Sequence, residues 1–252
     1  VIREVLAEEP DVQRLARTGD QSFFGVGLPA MNARSMFSPE EVRKMANATL
    51  GWWNHGFPCH DTMDKVDPKI MAKDMRGIAA TAYEICTRPV LPMSFLRMAD
   101  EMGARLEELS ASVGERLRLG PLQEKAREFR SQAQKLESVR RNLEDRIPKG
   151  GTGIPSDLQP PVRRMNRLLL RLSRILTHAF ASVAGRYGQD PYGLTNLKTR
   201  FPGLYYAPQL SNWSPDSDEY QLFLNGCLRD RNRVSDALQE ALQSMEAELS
   251  RR

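Results

Sequence analysis

The sequence predicts an α/β segment followed by a mainly α-helical bundle, and two observations support this. Up to about residue 90 the chain is rich in Gly, Pro and aromatic residues, whereas apolar residues at helical spacing dominate from Ser94 onward. The segment Gly25–Ala33 is typical of a loop that runs into a short buried strand. We therefore expect one domain over residues 1–92 and a helical domain over residues 93–252.

Local signals place the individual helices. Ser38–Glu41 combines an N-cap, a proline and early acids, which predicts a helix start. Asp67-Pro68 predicts a second helix that ends at Arg88-Pro89. Apolar periodicity predicts further helices over Ser94 to Gly114, Leu122 to Arg146, Pro160 to Val183 and Asp216 through Met245. Between the last two we expect an irregular crossover segment over residues 185–215.

Composition narrows the class of protein. No apolar run approaches the roughly 20 residues of a membrane helix. The cysteines (Cys59, Cys86 and Cys227) are odd in number and lack a CxxC spacing, which argues against a disulfide scaffold or a structural zinc site. The net charge of +4 comes from interspersed charges, so we expect no nucleic-acid partner. Because the chain opens with Val1 rather than Met, we interpret it as a fragment.

The most unusual stretch is Trp52–Pro68, which holds two of the three Trp and two of the three His residues. Aromatic residues beside His55 and His60 suit a substrate pocket, and imidazoles near acids suit a hydrolytic metal. A structural interpretation is also open. In that interpretation Trp52 and Trp53 belong to the core, and Asp61, Thr62 and Asp64 are turn and cap residues.

Asp61–Pro68 closely resembles the end of the last metal-ligand segment of the zinc aminopeptidase family, which includes bacterial aminopeptidases, glutamate carboxypeptidase and the transferrin receptor. The first half of the segment departs from the family pattern, since His55 lies six residues before Asp61 where the family spacing is four. An insertion of Gly56-Phe57 would restore His55 as the zinc ligand, with His60 as the alternative. The resemblance implies residues 1–92 to be the C-terminal part of a three-layer α/β/α peptidase domain.

A second match lies upstream. Gly19–Ala30 is similar to the family loop that borders the substrate pocket and leads into a central strand. The resemblance implies pocket positions at Asp20, Gln21, Phe23, Phe24 and Trp53, although Gln21 stands where His is common. From the residues alone, the glycines permit tight turns and the two Phe side chains fill the core.

A third match covers the helical region. Leu91–Phe95, Asn166–Leu170 and Tyr205–Pro208 resemble the helical domain of the transferrin-receptor branch, which mediates dimerisation. We therefore expect a homodimer, or helices packed against the peptidase domain. The alternative is that the apolar stripes meet each other inside one bundle. The residues do not specify a location, and the resemblance slightly favours an extracytoplasmic or secreted one.

The resemblance implies a metallo-aminopeptidase, a hydrolase that uses a co-catalytic zinc pair for proteolysis of a peptide substrate. The chain lacks the family's His-x-Asp segment and a Glu-Glu pair at the family position, so we assign no catalytic residue and expect the fragment alone to be inactive.

Two other functions compete with this one. The first is a catalytically inactive relative that serves assembly or binding. The second is a helical module that binds nucleic acid through arginines spaced for one helix face, Arg163, Arg164, Arg167, Arg171 and Arg174. The broad Leu/Ile stripe beside them and the lack of interleaved aromatic residues favour solvated or interfacial arginines instead.

Overall fold

The computed structural model describes residues 2–7, 19–28, 40, 63, 66–148, 153–190 and 200–250. Their α-helices, in chain order, are α1 (Ile2–Leu6), α2 (Pro68–Thr87), α3 (Leu96–Val113), α4 (Gly120–Asp145), α5 (Gln159–Ala181) and α6 (Asp218–Leu249). Short 3₁₀ helices occur at Gly19–Val26, Gly114–Leu117, Pro202–Leu204 and Ala207–Asn212. Within these ranges the chain is mainly helical and contains no β-strand.

The prediction of a helical region is thus confirmed, whereas the α/β segment lies largely outside the described residues. Of the segment predicted to lead into a strand, residues 25–28 form the end of a 3₁₀ helix and a turn. Residues 29–33 lie outside the described residues. So does the helix start predicted at Ser38–Glu41, apart from Glu40, which is helical.

The chain divides into two units: unit 1 comprises residues 1–12 and 32–87, and unit 2 comprises residues 13–31 and 88–252. In unit 1, α1 packs against α2. Helix α2 begins where predicted, because the Asp67 carboxylate accepts a hydrogen bond from the backbone N–H of Lys69 (2.7 Å) and so caps the first turn.

Along α2 runs an exposed apolar stripe at spacings of three and four residues. It consists of Met71, Met75, Ile78, Ala82 and Ile85. The four larger side chains are between 42% and 59% exposed. About half of the surface of these side chains is therefore exposed.

Unit 2 is built around α3, α4, α5 and α6. Helix α6 packs against both α4 and α5, and α3 packs against α4. The apolar stripes of the helices meet in one core, whose most deeply buried side chains include Leu106, Leu109, Phe129, Leu172, Phe180 and Leu238. Packing of one helix stripe on another is the main source of stability for such an arrangement.

The helix starts in unit 2 differ from the predicted ones by a few residues, for local reasons. Helix α5 begins at Gln159, so that Pro160 and Pro161 occupy its first turn, where a missing N–H costs nothing. Helix α6 begins at Asp218 because the Ser217 hydroxyl accepts a hydrogen bond from the backbone N–H of Tyr220 (3.2 Å).

Asn166 on α5 binds the chain segment that leads into the helical bundle. Its side-chain oxygen accepts from the backbone N–H of Leu91 (2.9 Å), and its side-chain nitrogen donates to the carbonyl of Pro89 (2.8 Å). Two of the segments that carry the third match are therefore directly hydrogen-bonded. None of the helices in the described ranges combines the length and hydrophobicity needed to cross a membrane.

Candidate functional site: an arginine groove beside a glycine loop

The candidate site of unit 2 starts from residues 19–28, which we call the glycine loop. The backbone N–H of Tyr187 donates to the carbonyl of Gly25 (2.7 Å), and the Ser173 hydroxyl donates to the carbonyl of Gly27 (3.3 Å). Ser173 lies on α5 and is buried. The loop is therefore docked onto α5 and onto the segment that follows it.

Both contacts depend on glycine. A β-carbon on Gly25 would overlap the carbonyl oxygen of Gly188, and one on Gly27 would overlap the main chain of Arg174. Gly27 also has a φ of +79°, which side chains other than glycine rarely adopt. The sequence Gly25-Val26-Gly27 thus lets two stretches of main chain approach more closely than side chains permit.

Asp190 organises the segment after α5, residues 182–190. Its carboxylate accepts hydrogen bonds from the Ser182 hydroxyl (2.9 Å) and from the backbone N–H groups of Val183 (2.9 Å) and Ala184 (2.8 Å). Arg233 on α6 donates to the carbonyl of Val183 (2.8 Å). These bonds hold Tyr187 in place with a φ of +63°, an uncommon conformation for a side chain of this size.

A cavity of about 410 Å³ lies where the glycine loop, α5 and the 182–190 segment meet. We call it the arginine groove. Its charged lining consists of Arg167, Arg171, Arg174 and Arg186 with a single acid, Glu240, and its less polar lining includes Val26, Leu170, Ile175 and Tyr187. The site is strongly basic with an apolar wall.

A second cavity, of about 360 Å³, shares Arg186 and Glu240 with the groove and is also lined by His178. His178 is 7% exposed, and its Nδ1 atom has no hydrogen-bond partner. Burial lowers the pKa of this imidazole, and the charges of Arg186 and Arg233 lower it further. His178 is therefore neutral at pH 7 and keeps one unused polar atom.

The predicted pocket residues fall in different places. Phe24 is buried, whereas Phe23 is 52% exposed and is the one of the two that a ligand could contact. Asp20 and Gln21 belong to the 3₁₀ helix of the glycine loop, but their side chains lie outside the described part of the chain. Trp53, His55 and His60 lie outside the described residues as well.

The described residues do not form a zinc site by themselves. They contain no group of three or more His, Cys, Asp and Glu side chains arranged to hold a metal ion. Asp67, which belongs to the matched motif, uses its carboxylate to cap α2. We therefore derive no chemical step through zinc from this structure.

The arginine groove combines residues that the sequence interpretation considered with residues that it missed. Arg167, Arg171 and Arg174 were identified by their helical spacing. Arg186 and Glu240 were not, because nothing local to either of them indicates that they meet at α5. The Gly-x-Gly spacing of the loop was the only available signal of a close main-chain contact.

Most residues of the apolar stripes that motivated the expectation of a dimer are buried inside unit 2, although Leu222 is exposed. In the segment before α6, the side chains of Tyr205 and Tyr206 are 42% and 44% exposed. Their rings pack edge to face with centroids 4.8 Å apart. This pair is the principal aromatic feature left for an intermolecular contact in the segment before α6.

No protein-family model matches the chain, and no curated protein matches it in sequence.

Proposed function

We propose that this chain is the C-terminal part of a zinc-dependent aminopeptidase-like protein, and that its helical unit holds the glycine loop at the edge of the substrate pocket. The observation that carries the proposal is the docking of this loop onto α5 through Gly25 and Gly27. The same loop is the one whose sequence resembles the pocket-bordering loop of the family. A binding loop performs best when a rigid element positions it.

The apolar stripe on α2 supports the same proposal. Exposed apolar surface on a long helix is usually covered by a partner or by the rest of a domain. Here the stripe includes Met71, Met75 and Ile78. In our proposal the remainder of the peptidase domain, which precedes this segment in the parent protein, covers that face.

The contact between Asn166 and residues 89–91 is further support. It joins the end of the peptidase-like segment to the helical region through two hydrogen bonds. A connection of this kind suits a helical unit that acts as part of an enzyme rather than as an independent module.

The experiment is a comparison of His55→Ala with His60→Ala in the intact parent protein, with peptidase activity on amino-acyl substrates and bound zinc as the two readouts. We expect His55→Ala to lose zinc and to reduce the rate by orders of magnitude, because loss of a metal ligand removes the metal chemistry. His60→Ala is the matched control and should retain both. A parent protein that neither binds zinc nor cleaves peptides would refute the proposal in favour of the inactive relative.

For the chain studied here, we expect neither peptidase activity nor a stoichiometric zinc pair. Two tightly bound zinc ions per chain, accompanied by peptidase activity, would contradict this expectation. Metal analysis after dialysis, together with an activity assay, makes the distinction.

We also propose that the parent protein forms a homodimer through the helical unit, with Tyr205 and Tyr206 in the interface. Aromatic residues concentrate at the centres of such interfaces. Sedimentation of the parent across a concentration series tests this, with Leu222→Ala, another exposed apolar residue, as a control for Tyr205→Ala. A strictly monomeric species at micromolar concentration would exclude the dimer.

A further inference from the structure

The arginine groove gathers positive charge that the protein itself does not balance. Its lining holds four arginines and one glutamate, a formal charge of +3. Arg171 and Arg186 each reach Glu240 only at 4.0 Å, the outer limit of an ion pair. Neither Arg167 nor Arg174 has an acidic partner among the described residues.

Three arginines of unit 2 outside the groove are paired much more closely. Arg130 donates to Asp100 (2.6 Å), and Arg164, on the same helix as the groove arginines, donates to Glu248 (3.0 Å). The buried Arg140 makes a two-point contact with Glu137. These three arginines are closely paired, whereas the four arginines of the groove are not closely paired among the described residues.

Like charges one helical turn apart repel, so this arrangement costs stability when the groove contains only water. Arg167, Arg171 and Arg174 follow one another at spacings of four and three on α5, and Arg186 approaches from the 182–190 segment. An anion that contacts several of these guanidinium groups at once would remove the repulsion. The groove is therefore a candidate anion site.

We propose that the arginine groove binds the phosphate group of a small organic phosphate. A phosphate presents several oxygens in a tetrahedral arrangement and can accept hydrogen bonds from several guanidinium groups, whereas one or two arginines satisfy the two coplanar oxygens of a carboxylate. The groove shares the glycine loop with the peptidase proposal, but this inference rests on the arginines and not on the family resemblance.

The uncharged lining indicates the organic part of the ligand. Val26 and Leu170 present exposed apolar surface to the groove, and the Tyr187 ring, 77% exposed, carries the Arg186 guanidinium 5.9 Å from its centre. A flat ring or an apolar group attached to the phosphate would pack on this wall. A cavity of about 410 Å³ is within the size range of small-molecule sites.

The test is calorimetric titration of the whole chain with three probes: inorganic tripolyphosphate, adenosine triphosphate and adenosine. We expect both phosphates to bind and adenosine not to bind, with the nucleotide tighter than the free polyphosphate because of the apolar wall. Arg171→Gln and Arg174→Gln should each weaken phosphate binding by about tenfold or more, as expected for loss of a charge-assisted hydrogen bond. Binding should also weaken as the salt concentration rises.

Arg163→Gln is the matched control, because Arg163 lies on the same helix but not in the groove lining, and it should leave the affinity unchanged. Glu240→Gln is the more discriminating variant. Removal of the only acid in the groove lining should tighten phosphate binding by several-fold, whereas misfolding would weaken it. Equal affinities for Arg163→Gln and Arg171→Gln, or weaker binding by Glu240→Gln, would overturn the proposal. So would a single-stranded oligonucleotide that binds far more tightly than any small phosphate, because it would identify a nucleic-acid interface.

Discussion

Gly27 and Arg174 contact each other main chain to main chain, with no room between them for a β-carbon. This contact joins the glycine loop to α5, and it brings Arg174 to the point where the loop borders the arginine groove. The docked position of the loop therefore requires glycine at position 27, because the methyl group of an alanine would overlap the main chain of Arg174.

Replacement of Gly27 by alanine should destabilise this docking by about 1–3 kcal/mol, since it adds both a steric overlap and an unfavourable φ. Hydrogen exchange of the Tyr187 N–H, which donates to Gly25, measures the loss directly. Gly103→Ala is the control. Gly103 lies within α3 and a β-carbon there meets nothing within 4 Å, so alanine should stabilise the helix by up to about 1 kcal/mol. Unchanged exchange at Tyr187 in Gly27→Ala would show that the loop is not held by this contact.

His178 should make the stability of unit 2 depend on pH. The pKa of the folded imidazole is lowered below its ordinary value by burial and by Arg186 and Arg233. The unfolded chain therefore binds more protons below about pH 6.5, so the stability is full above that pH and is lost as the pH falls toward the folded pKa. Urea unfolding between pH 7 and pH 5 should show a steeper loss for the native sequence than for His178→Gln. Identical pH profiles would contradict the prediction.

The ion pair between Glu137 and Arg140 on α4 should be costly to break from one side. Both side chains are about nine-tenths buried, and their two hydrogen bonds measure 3.0 and 3.2 Å. Hydrogen bonding by Arg140 lowers the pKa of the Glu137 carboxyl, which keeps it ionised. Arg140→Met should therefore cost roughly 3 kcal/mol, because it leaves the buried Glu137 carboxylate with only the exposed Arg141 (2.7 Å) as its cationic partner.

The double variant Glu137→Leu with Arg140→Met should cost less than the sum of the two single changes. Arg130→Met removes an exposed partner of Asp100 and should cost less than about 1 kcal/mol. Additive effects of the two changes in the buried pair, measured by urea unfolding, would show that the pair is not coupled.

Cys86 and Cys227 should differ sharply in reactivity. Cys86 is exposed on α2, whereas burial, together with the nearby Asp230 charge, raises the pKa of the Cys227 thiol to about 11. Because the thiolate is the reactive form, iodoacetamide at pH 8 should label Cys86 quickly and Cys227 only after unfolding in urea. Peptide mass spectrometry separates the two sites. Equal labelling rates in the folded protein would be inconsistent with the buried position of Cys227 in α6.

The helices were predictable because their signals are local. Residues that recur every three or four positions, such as Leu106 and Leu109, mark a buried face. Pro89 limits a helix through the sterics of its ring, and Gly114 ends α3 because glycine readily adopts a positive φ, here +58°. Helix boundaries shifted by a few residues where a cap decided the outcome, as Ser217 does at the start of α6.

The candidate site was less predictable, because it depends on residues that are far apart in the chain. The helical spacing of Arg171 and Arg174 was visible, but their meeting with Arg186 and Glu240 follows from how α6 packs on α5. A short loop that docks by main-chain contact, as at Gly27, also leaves no apolar pattern. Glycine spacing alone permits such a contact without specifying its partner.

The length and contacts of helix α6 affect how unit 2 folds during synthesis. It is 32 residues long, it contacts both α4 and α5, and its Arg231 donates to the carbonyl of Leu117, 114 positions earlier in the chain. During synthesis, α4 and α5 leave the ribosome before α6 does. Their apolar faces therefore stay exposed to solvent until α6 is available to pack on them. Long-range closure of this kind is slow and exposes the nascent chain to aggregation. We therefore expect the unit to close only after α6 has been synthesised and to benefit from chaperones that shield nascent hydrophobic surface.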